Sequence, residues 1–179
     1  MFLNIDIIEL VIKYIDMNII IKKKYLFFKD YKLKCSIGKS GIKKIKKEGD
    51  LATPKGLFKL GLLYYRKDRN KTLKIKINKK VIKKNMGWCD DIKSKKYNQE
   101  IRFPFKHHAE KLYRRDGLYD IFINIKYNNK PITKNKGSAI FLHLTNQKYK
   151  PTKGCVAVSK KDLLKILPYI KKNTKIYIV

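Results

Sequence analysis

The segment over residues 137–167 reads GSAIFLHLTNQKYKPTKGCVAVSKKDLLKIL and indicates the fold more clearly than any other part of the chain. Residues 138–144 are mostly apolar and predict a strand. Residues 145–154 are polar, with a proline and a glycine, and predict a loop. Residues 156–158 predict a short return strand. The order of strand, loop and strand brings the two ends of the loop close together.

The last part of this segment predicts a helix. Ser159 stands three residues before Asp162, a spacing typical of the capping box at a helix N-terminus. The apolar side chains that follow are Leu163, Leu164, Ile166 and Leu167. Because proline disfavours helical geometry in the residue before it, we expect the helix to be disturbed at or before Pro168.

Outside this segment, short β-branched and aromatic runs between turn formers predict further strands. They span residues 18–21, 24–28, 33–38, 58–64, 72–77, 119–127 and 175–179. Residues 84–117 show no strand pattern and are predicted to be irregular. The chain therefore predicts a mostly β, single domain over residues 18–179 with one C-terminal helix. Residues 1–17 are predicted to be an N-terminal extension, and whether they belong to the fold stays open.

Composition sets the physical class of the protein. The chain has 179 residues, of which 44% are hydrophobic, and it is long enough to bury a core without disulfides. It carries 45 Lys and Arg against 14 Asp and Glu, a net charge of +31. Only five of the 45 are arginines, and this bias favours solvated lysine faces over a surface built to grip phosphates. Attraction to an anionic polymer stays open, whereas no motif indicates specific nucleic-acid binding.

The cysteine count and the N-terminus bear on compartment and cofactors. Three cysteines, Cys35, Cys89 and Cys155, form no CxxC pair and predict neither a disulfide framework nor, with His143, a metal site. No cofactor is expected. The apolar start of the chain is interrupted by acidic residues and does not resemble a secretory signal, and no apolar run reaches the roughly 20 residues that span a bilayer.

Cys155 and His143 are the first candidates for chemistry. Cys155 lies between a predicted turn and a strand, and Gly154 before it permits close approach of a substrate to the backbone. The N–H groups of Gly154 and Cys155 are expected to point at one spot, as an oxyanion hole requires. His143 ends the preceding strand, so the return strand is expected to place its ring beside the thiol, with Lys153 helping to lower the thiol pKa. A buried structural cysteine near a strand-end histidine is the alternative.

Several motifs in the same order resemble the L,D-transpeptidase catalytic-domain family, also called YkuD-like. They lie at residues 137–143, 151–158 and 159–164, and further matches lie at residues 47–56, 87–91, 97–98 and 115–120. The resemblance covers residues 33–179 and is far more specific than the Cys–His pair alone.

The resemblance implies a β-sandwich-like catalytic domain with a nucleophilic cysteine in a cleft. Members of the family attack the carbonyl that joins the third residue of a peptidoglycan stem peptide, usually diaminopimelate, to D-alanine. D-Alanine leaves, a thioester forms, and an amine of another stem peptide takes the acyl group. Carried onto this chain, Cys155 is the nucleophile, His143 the general base and Gly154 a backbone donor to the oxyanion.

The resemblance also leaves alternatives. The family's common Ser/Thr-His-Gly-Cys motif is Thr152-Lys153-Gly154-Cys155 here, so the second histidine is replaced by a lysine. Thr152, Lys153, Trp88 and Asp90 are candidates for substrate contact, although for the last two a folded corner with a buried tryptophan is the preferred interpretation. A cytoplasmic L,D-carboxypeptidase that releases D-alanine is the close alternative to an envelope transpeptidase. A basic polyanion-binding domain without catalysis is the second alternative.

Overall fold

The structure, a computed structural model, describes residues 17–146 and 148–179. In these residues the helix α1 spans Lys160–Ile166 and a 3-10 turn spans Leu167–Tyr169. The strands are β1 (Ile19–Lys22), β2 (Tyr25–Phe28), β3 (Tyr31–Ser36), β4 (Ile42–Lys43), β5 (Thr53–Pro54), β6 (Gly56–Tyr65), β7 (Lys79–Val81), β8 (Met86–Cys89), β9 (Glu100–Arg102), β10 (Ala109–Lys111), β11 (Ile121–Ile125), β12 (Phe141–Leu144), β13 (Val156–Val158) and β14 (Lys175–Ile178). The mostly β fold with a C-terminal helix is therefore confirmed.

Two strands join the two layers of the main sheet. The sheet runs β11-β12-β13-β3-β2-β1-β14-β6-β7, and β6 also pairs with β11, so the sheet closes on itself. The first part of β6 pairs with β14 and its second part pairs with β11. Similarly, β3 pairs with β2 along its start and with β13 at its end. The first layer thus contains β2, β1 and β14, and the second contains β11, β12 and β13.

The main core fills the space between the layers. Because successive residues of a strand point to opposite faces, Ile121, Ile123 and Ile125 of β11 all face inward and are at most 1% exposed. Leu163 and Ile166 of α1 are fully buried in the same cluster. Burying one such side chain stabilises the fold by about 1.5–3 kcal/mol. The alternation in the sequence therefore determines which face of a strand packs in the main core and which face points away from it.

The helix begins and ends as the sequence predicts. The Ser159 hydroxyl accepts a hydrogen bond from the Asp162 N–H at 3.0 Å and donates to the Asp162 carboxylate at 2.7 Å. This pair caps the first turn, whose N–H groups have no partner inside the helix. The α-helix ends at Ile166, and Pro168 lies in the 3-10 turn that follows.

Residues 72–77 form no strand, contrary to the prediction. Leu73, Ile75 and Ile77 do alternate, since all three are half-buried against the main core, but this stretch pairs with no strand. The edge of β6 is occupied instead by β7, a few residues later. Alternation reports which side chains face the core, whereas strand pairing depends on which edge is available.

Residues 84–117 contain three short strands where the sequence predicts irregular structure. They form a separate sheet with β8 between β10 and β9. All four residues of β8 are buried, so the strand has no polar face and no alternating pattern to detect. This small sheet covers the outer face of the second layer.

The start of the domain is tied to its end. The Asn18 side-chain oxygen accepts a hydrogen bond from the Lys175 N–H at 3.0 Å, next to the parallel pairing of β1 with β14. The predicted N-terminal extension lies, up to residue 16, outside the described residues. Across the described ranges, no helix is long and apolar enough to cross a membrane.

Candidate active site

A second apolar cluster forms the floor of the site. It lies on the outer face of the second layer, under the small sheet, and is separate from the main core. Its members include Tyr64, Met86, Trp88, Leu112, Tyr119, Phe122, Phe141 and Cys155. Phe122 and Phe141 belong to it because they alternate with residues that face the main core. Both faces of the second layer are therefore covered, one by the first layer and one by the small sheet.

Strand register brings Cys155 and His143 to this outer face. Strands β12 and β13 are parallel, with His143 opposite Ala157 and Leu142 opposite Val156. Cys155 directly precedes β13 and lies beside Phe141, whose N–H donates to the Cys155 sulfur at 3.3 Å. His143 is two residues beyond Phe141 and so shares its face. The predicted strand over residues 138–144 begins only at Phe141, because Ala139 before it adopts a positive φ of 51°.

The two side chains line one cleft with a volume of about 700 Å³. Its walls come from the small sheet, from the loop between β4 and β5, from the segment before β11 and from the loop before Cys155. Besides Cys155 and His143, the ionisable residues of its lining are Glu48, Asp90, His108, Glu110, Arg114, Tyr119, Lys150 and Lys153. The chain has more than three cationic residues for each acidic one, yet three carboxylates line this cleft. The cleft is therefore richer in negative charge than the chain as a whole.

His143 is held as a neutral base. Its Nδ1 lies 2.7 Å from the Leu144 carbonyl oxygen, and because a carbonyl only accepts, Nδ1 is the donor. Nε2 therefore carries the lone pair. Burial lowers the pKa of His143 to about 4, and the charge of Arg114 acts in the same direction, while backbone hydrogen bonds to Leu144 and Leu118 oppose it. The ring of Tyr119 packs against the imidazole with centroids 5.2 Å apart at 78°.

Cys155 is held as a thiol. Its sulfur donates to the Ala139 carbonyl at 3.1 Å, and the residue is only 8% exposed. Burial raises the pKa of Cys155 to about 12, and the charge of Glu110 adds to this, while the Phe141 N–H and Lys46 act in the opposite direction. The expectation that Lys153 and the positive charge of the chain lower this pKa is wrong. Lys153 is exposed, and its solvated charge does not offset the burial of the sulfur.

The two pKa values decide how the pair works. A preformed thiolate–imidazolium pair requires the pKa of the thiol to lie below that of the imidazole. Here the order is reversed, at about 12 for Cys155 and about 4 for His143. The resting site therefore holds a neutral thiol and a neutral imidazole in one cleft. For such a thiol to act as a nucleophile, its proton must leave as the sulfur attacks, and a neutral imidazole is a group that can accept it.

Alkylation of Cys155 by iodoacetamide is expected to be slow at neutral pH and to keep rising beyond pH 10. With a pKa of about 12, roughly one thiol in 10⁴ is ionised at pH 8, against roughly one in four for an ordinary cysteine. The rate is measured by peptide mass spectrometry, which separates Cys155 from Cys35 and Cys89. A rate that is constant between pH 5 and pH 8 would instead indicate a preformed ion pair.

A polar turn holds Cys155 in place. The Thr152 hydroxyl donates to the Cys155 carbonyl at 2.6 Å and accepts from the Gly154 N–H at 3.1 Å. Gly154 has a φ of +141°, and a Cβ there would lie 2.9 Å from the Ala52 carbonyl oxygen, so only glycine fits. The Gly154 N–H, predicted as an oxyanion donor, is thus already engaged by Thr152. This leaves the Cys155 N–H as the candidate donor to an oxyanion.

The other predicted contact residues divide between the cleft and its floor. Thr152, Lys153 and Asp90 line the cleft. Trp88 does not, because it is 6% exposed and packs edge-on against Phe141 with centroids 5.1 Å apart. Its indole N–H donates to Asn98 at 3.0 Å, so Trp88 forms the buried corner that the sequence left as an alternative.

Sequence reasoning missed several groups of the cleft wall. Glu110 drew no attention, although its Oε1 accepts from the Tyr119 hydroxyl at 2.9 Å. His108, taken as an ordinary surface residue, pairs through Nδ1 with Asp90 at 2.5 Å, and this carboxylate raises its pKa. No local pattern marks these positions, because the small sheet brings them to the cleft. Throughout residues 17–146 and 148–179, no three His, Cys, Asp or Glu side chains are grouped so as to hold a metal ion.

Residues 14–178 match the family model of the YkuD L,D-transpeptidase catalytic domain. The solved structure of Bdellovibrio bacteriovorus Bd1075 is similar at 18% identity with a TM-score of 0.46. That match covers 92% of this chain and 48% of the other, so this chain spans about half its length. A search of curated proteins gave no match.

Proposed function

The chain belongs to the L,D-transpeptidase catalytic-domain (YkuD) family, and we propose that it is a cysteine acyltransferase of peptidoglycan stem peptides. One observation carries this proposal: Cys155 and His143 share one face of the second layer and line the same cleft. The imidazole presents Nε2 as a base because Leu144 holds Nδ1 as the donor. This pair is the nucleophile and base that acyl transfer through a thioester requires.

In the first step, the cleft holds a stem peptide with its terminal D-alanine next to Cys155. The sulfur attacks the carbonyl that joins the third residue to D-alanine while His143 Nε2 takes the thiol proton. The carbonyl oxygen becomes an oxyanion, toward which the Cys155 N–H is the donor. His143 then gives its proton to the nitrogen of D-alanine, the C–N bond breaks, and a thioester with Cys155 is left.

In the second step, an amine of another stem peptide attacks the thioester and releases the Cys155 thiol. The product is a cross-link, and in this proposal the protein acts in the cell envelope. The second candidate is an L,D-carboxypeptidase in which water takes the acyl group, as in trimming of stem peptides in the cytoplasm. Lys153 favours this candidate, because it stands where the family commonly has a second histidine.

Product analysis tests the proposed function. Purified protein is incubated with a diaminopimelate tetrapeptide ending in D-alanine, with the L-alanine epimer as matched control, and the products are separated by liquid chromatography and mass spectrometry. Release of D-alanine with a cross-linked product is expected. Release with tripeptide alone supports the carboxypeptidase. No release from either peptide by folded protein contradicts both, and would favour a binding domain without catalysis.

A further inference from the structure

Glu110 is a carboxylate in the cleft wall that the steps above do not use. It lies on β10 opposite Trp88 of β8, and its side chain is 30% exposed. Its Oε1 accepts from the Tyr119 hydroxyl at 2.9 Å and from Arg114 Nη1 at 3.4 Å. Within the described part of the chain, no donor is bonded to its other oxygen, Oε2. One oxygen of Glu110 is therefore fixed and the other is available to a ligand.

Glu110 lines the same cleft as Cys155 and His143. Its negative charge raises the pKa of the Cys155 thiol, so it opposes ionisation of the nucleophile in the first step. Tyr119 links it to the base, because the hydroxyl binds Glu110 while the ring packs against His143. The charge of Glu110 therefore opposes the first step, and the second step is the one that it can assist.

The second step has a need that a carboxylate meets. An alkylamine acceptor is an ammonium ion at neutral pH, with a pKa of about 10.4 for a lysine-like group. It must lose one proton before it attacks the thioester and a second one afterwards. His143 Nε2 accepts one proton at a time. Lys153, at the position of the family's second histidine, offers an ammonium group, which has no lone pair to accept the other.

We propose that Glu110 binds the ammonium group of the acyl acceptor beside the Cys155 thioester and takes its first proton. The inference rests on the proposed function and names the residue that serves its second step. Carboxylates bind ammonium groups through charge-assisted hydrogen bonds, for which Oε2 is available. Burial raises the pKa of Glu110, and this narrows the gap to the pKa of the ammonium group.

The protons and bonds of this step balance. The ammonium group gives one proton to Glu110 and becomes an amine with a lone pair. The amine attacks the thioester carbonyl, the C–N bond forms and the C–S bond breaks, so the sulfur leaves as a thiolate. The second proton of the nitrogen passes through His143 to this sulfur and restores the thiol. Glu110 then returns its proton to the solvent in the cleft.

The charges around Glu110 come from three sides of the cleft. Burial has the largest effect and raises the pKa of Glu110. The Tyr119 hydroxyl, Arg114 and Lys153 lower this pKa, and Asp90, which directly follows β8, raises it. Because Glu110 must be ionised to bind the ammonium group, transfer to an amine is expected to fall as the pH drops through this raised pKa.

The test compares Glu110→Gln with Glu100→Gln. Glu100 is a matched control because it also accepts from a tyrosine hydroxyl, that of Tyr64 at 2.9 Å, but does not line the cleft. Each protein is first acylated with the tetrapeptide, which shows that it is folded and reactive. The acyl-enzyme is then divided between an alkylamine acceptor and water, and the ratio of the two products is measured against acceptor concentration and pH.

Glu110→Gln is expected to be acylated as fast as the wild type or faster, while transfer to the alkylamine falls about 10²-fold relative to hydrolysis. The acidic limb in the ratio of transfer to hydrolysis is expected to disappear, and Glu110→Asp is expected to recover part of the transfer. With hydroxylamine, which is uncharged at neutral pH, the difference between variant and wild type is expected to vanish. A structural role would affect both acceptors equally.

An unchanged product ratio in Glu110→Gln would overturn this inference and leave the proposed function intact. An equal loss with hydroxylamine and with the alkylamine would also overturn it. If the wild-type acyl-enzyme reacts only with water, no amine is an acceptor and the role of Glu110 is overturned. The carboxypeptidase function is supported in that case. A wild type that forms no acyl-enzyme contradicts the proposed function itself.

Discussion

Cys155→Ala is expected to abolish acyl-enzyme formation and to leave the protein folded. The nucleophile cannot be replaced by a neighbour, since the other two cysteines of the chain are buried away from the cleft. Removal of a catalytic nucleophile lowers kcat by about 10⁶-fold in a comparable system. The variant loses the sulfur bonds to Ala139 and Phe141, a cost of about 1–3 kcal/mol that a stable domain tolerates.

Intact-protein mass spectrometry measures this result after incubation with the tetrapeptide or with a carbapenem, a β-lactam that the family resemblance suggests as an acylating agent. Cys89→Ala is the matched control, because Cys89 is fully buried but outside the cleft, and this variant is expected to keep the adduct. An adduct of the same mass on Cys155→Ala would show that another residue is the nucleophile. Circular dichroism confirms that each variant is folded.

His143→Ala is expected to slow acylation about 10²–10⁴-fold, the usual contribution of a general base. In the wild type, acylation is expected to fall as the pH drops through about 4, because protonated His143 no longer accepts the thiol proton. The variant is expected to lose this acidic limb. Stopped-flow measurement of carbapenem acylation between pH 3.5 and pH 8 gives both results.

His107→Ala serves as the control for this histidine. His107 pairs with Asp91 at 3.2 Å and does not line the cleft, so its removal is expected to change neither the rate nor the pH profile. Equal rates for His143→Ala and the wild type would show that another group takes the thiol proton.

The sequence allowed the central pair to be predicted because it depends on local patterns. The apolar runs over residues 138–144 and 156–158, with the polar loop between them, indicate two neighbouring strands. The structure pairs these strands in parallel rather than as a strand and its return strand, so Cys155 lies beside Phe141 and shares the outer face with His143. The approach of Glu110 was not predictable in this way. The position of Glu110 depends on the pairing of β10 with β8 and on the packing of the small sheet against Phe122 and Phe141. Both are contacts between distant parts of the chain.

The protonation state of Cys155 was also not predictable from the sequence. The count of lysines indicates a positive field, but a pKa responds to the immediate surroundings of one atom. The burial of Cys155 under Ala139 and Phe141, with Glu110 nearby, reverses the expected direction. Residues 72–77 show the same limit for structure, because their pattern gives the buried side chains correctly but not the partner strand.

The neutral thiol has a consequence for how the protein ages. Peroxide oxidises thiolates, and the sulfinic and sulfonic acids that follow are not reduced again by ordinary thiols. With a pKa of about 12, Cys155 is ionised in roughly one molecule in 10⁵ at pH 7, so its sulfur is almost inert toward peroxide between turnovers. Burial of Cys155 therefore makes the resting thiol a slow nucleophile and, for the same reason, protects it from oxidation over the lifetime of the chain.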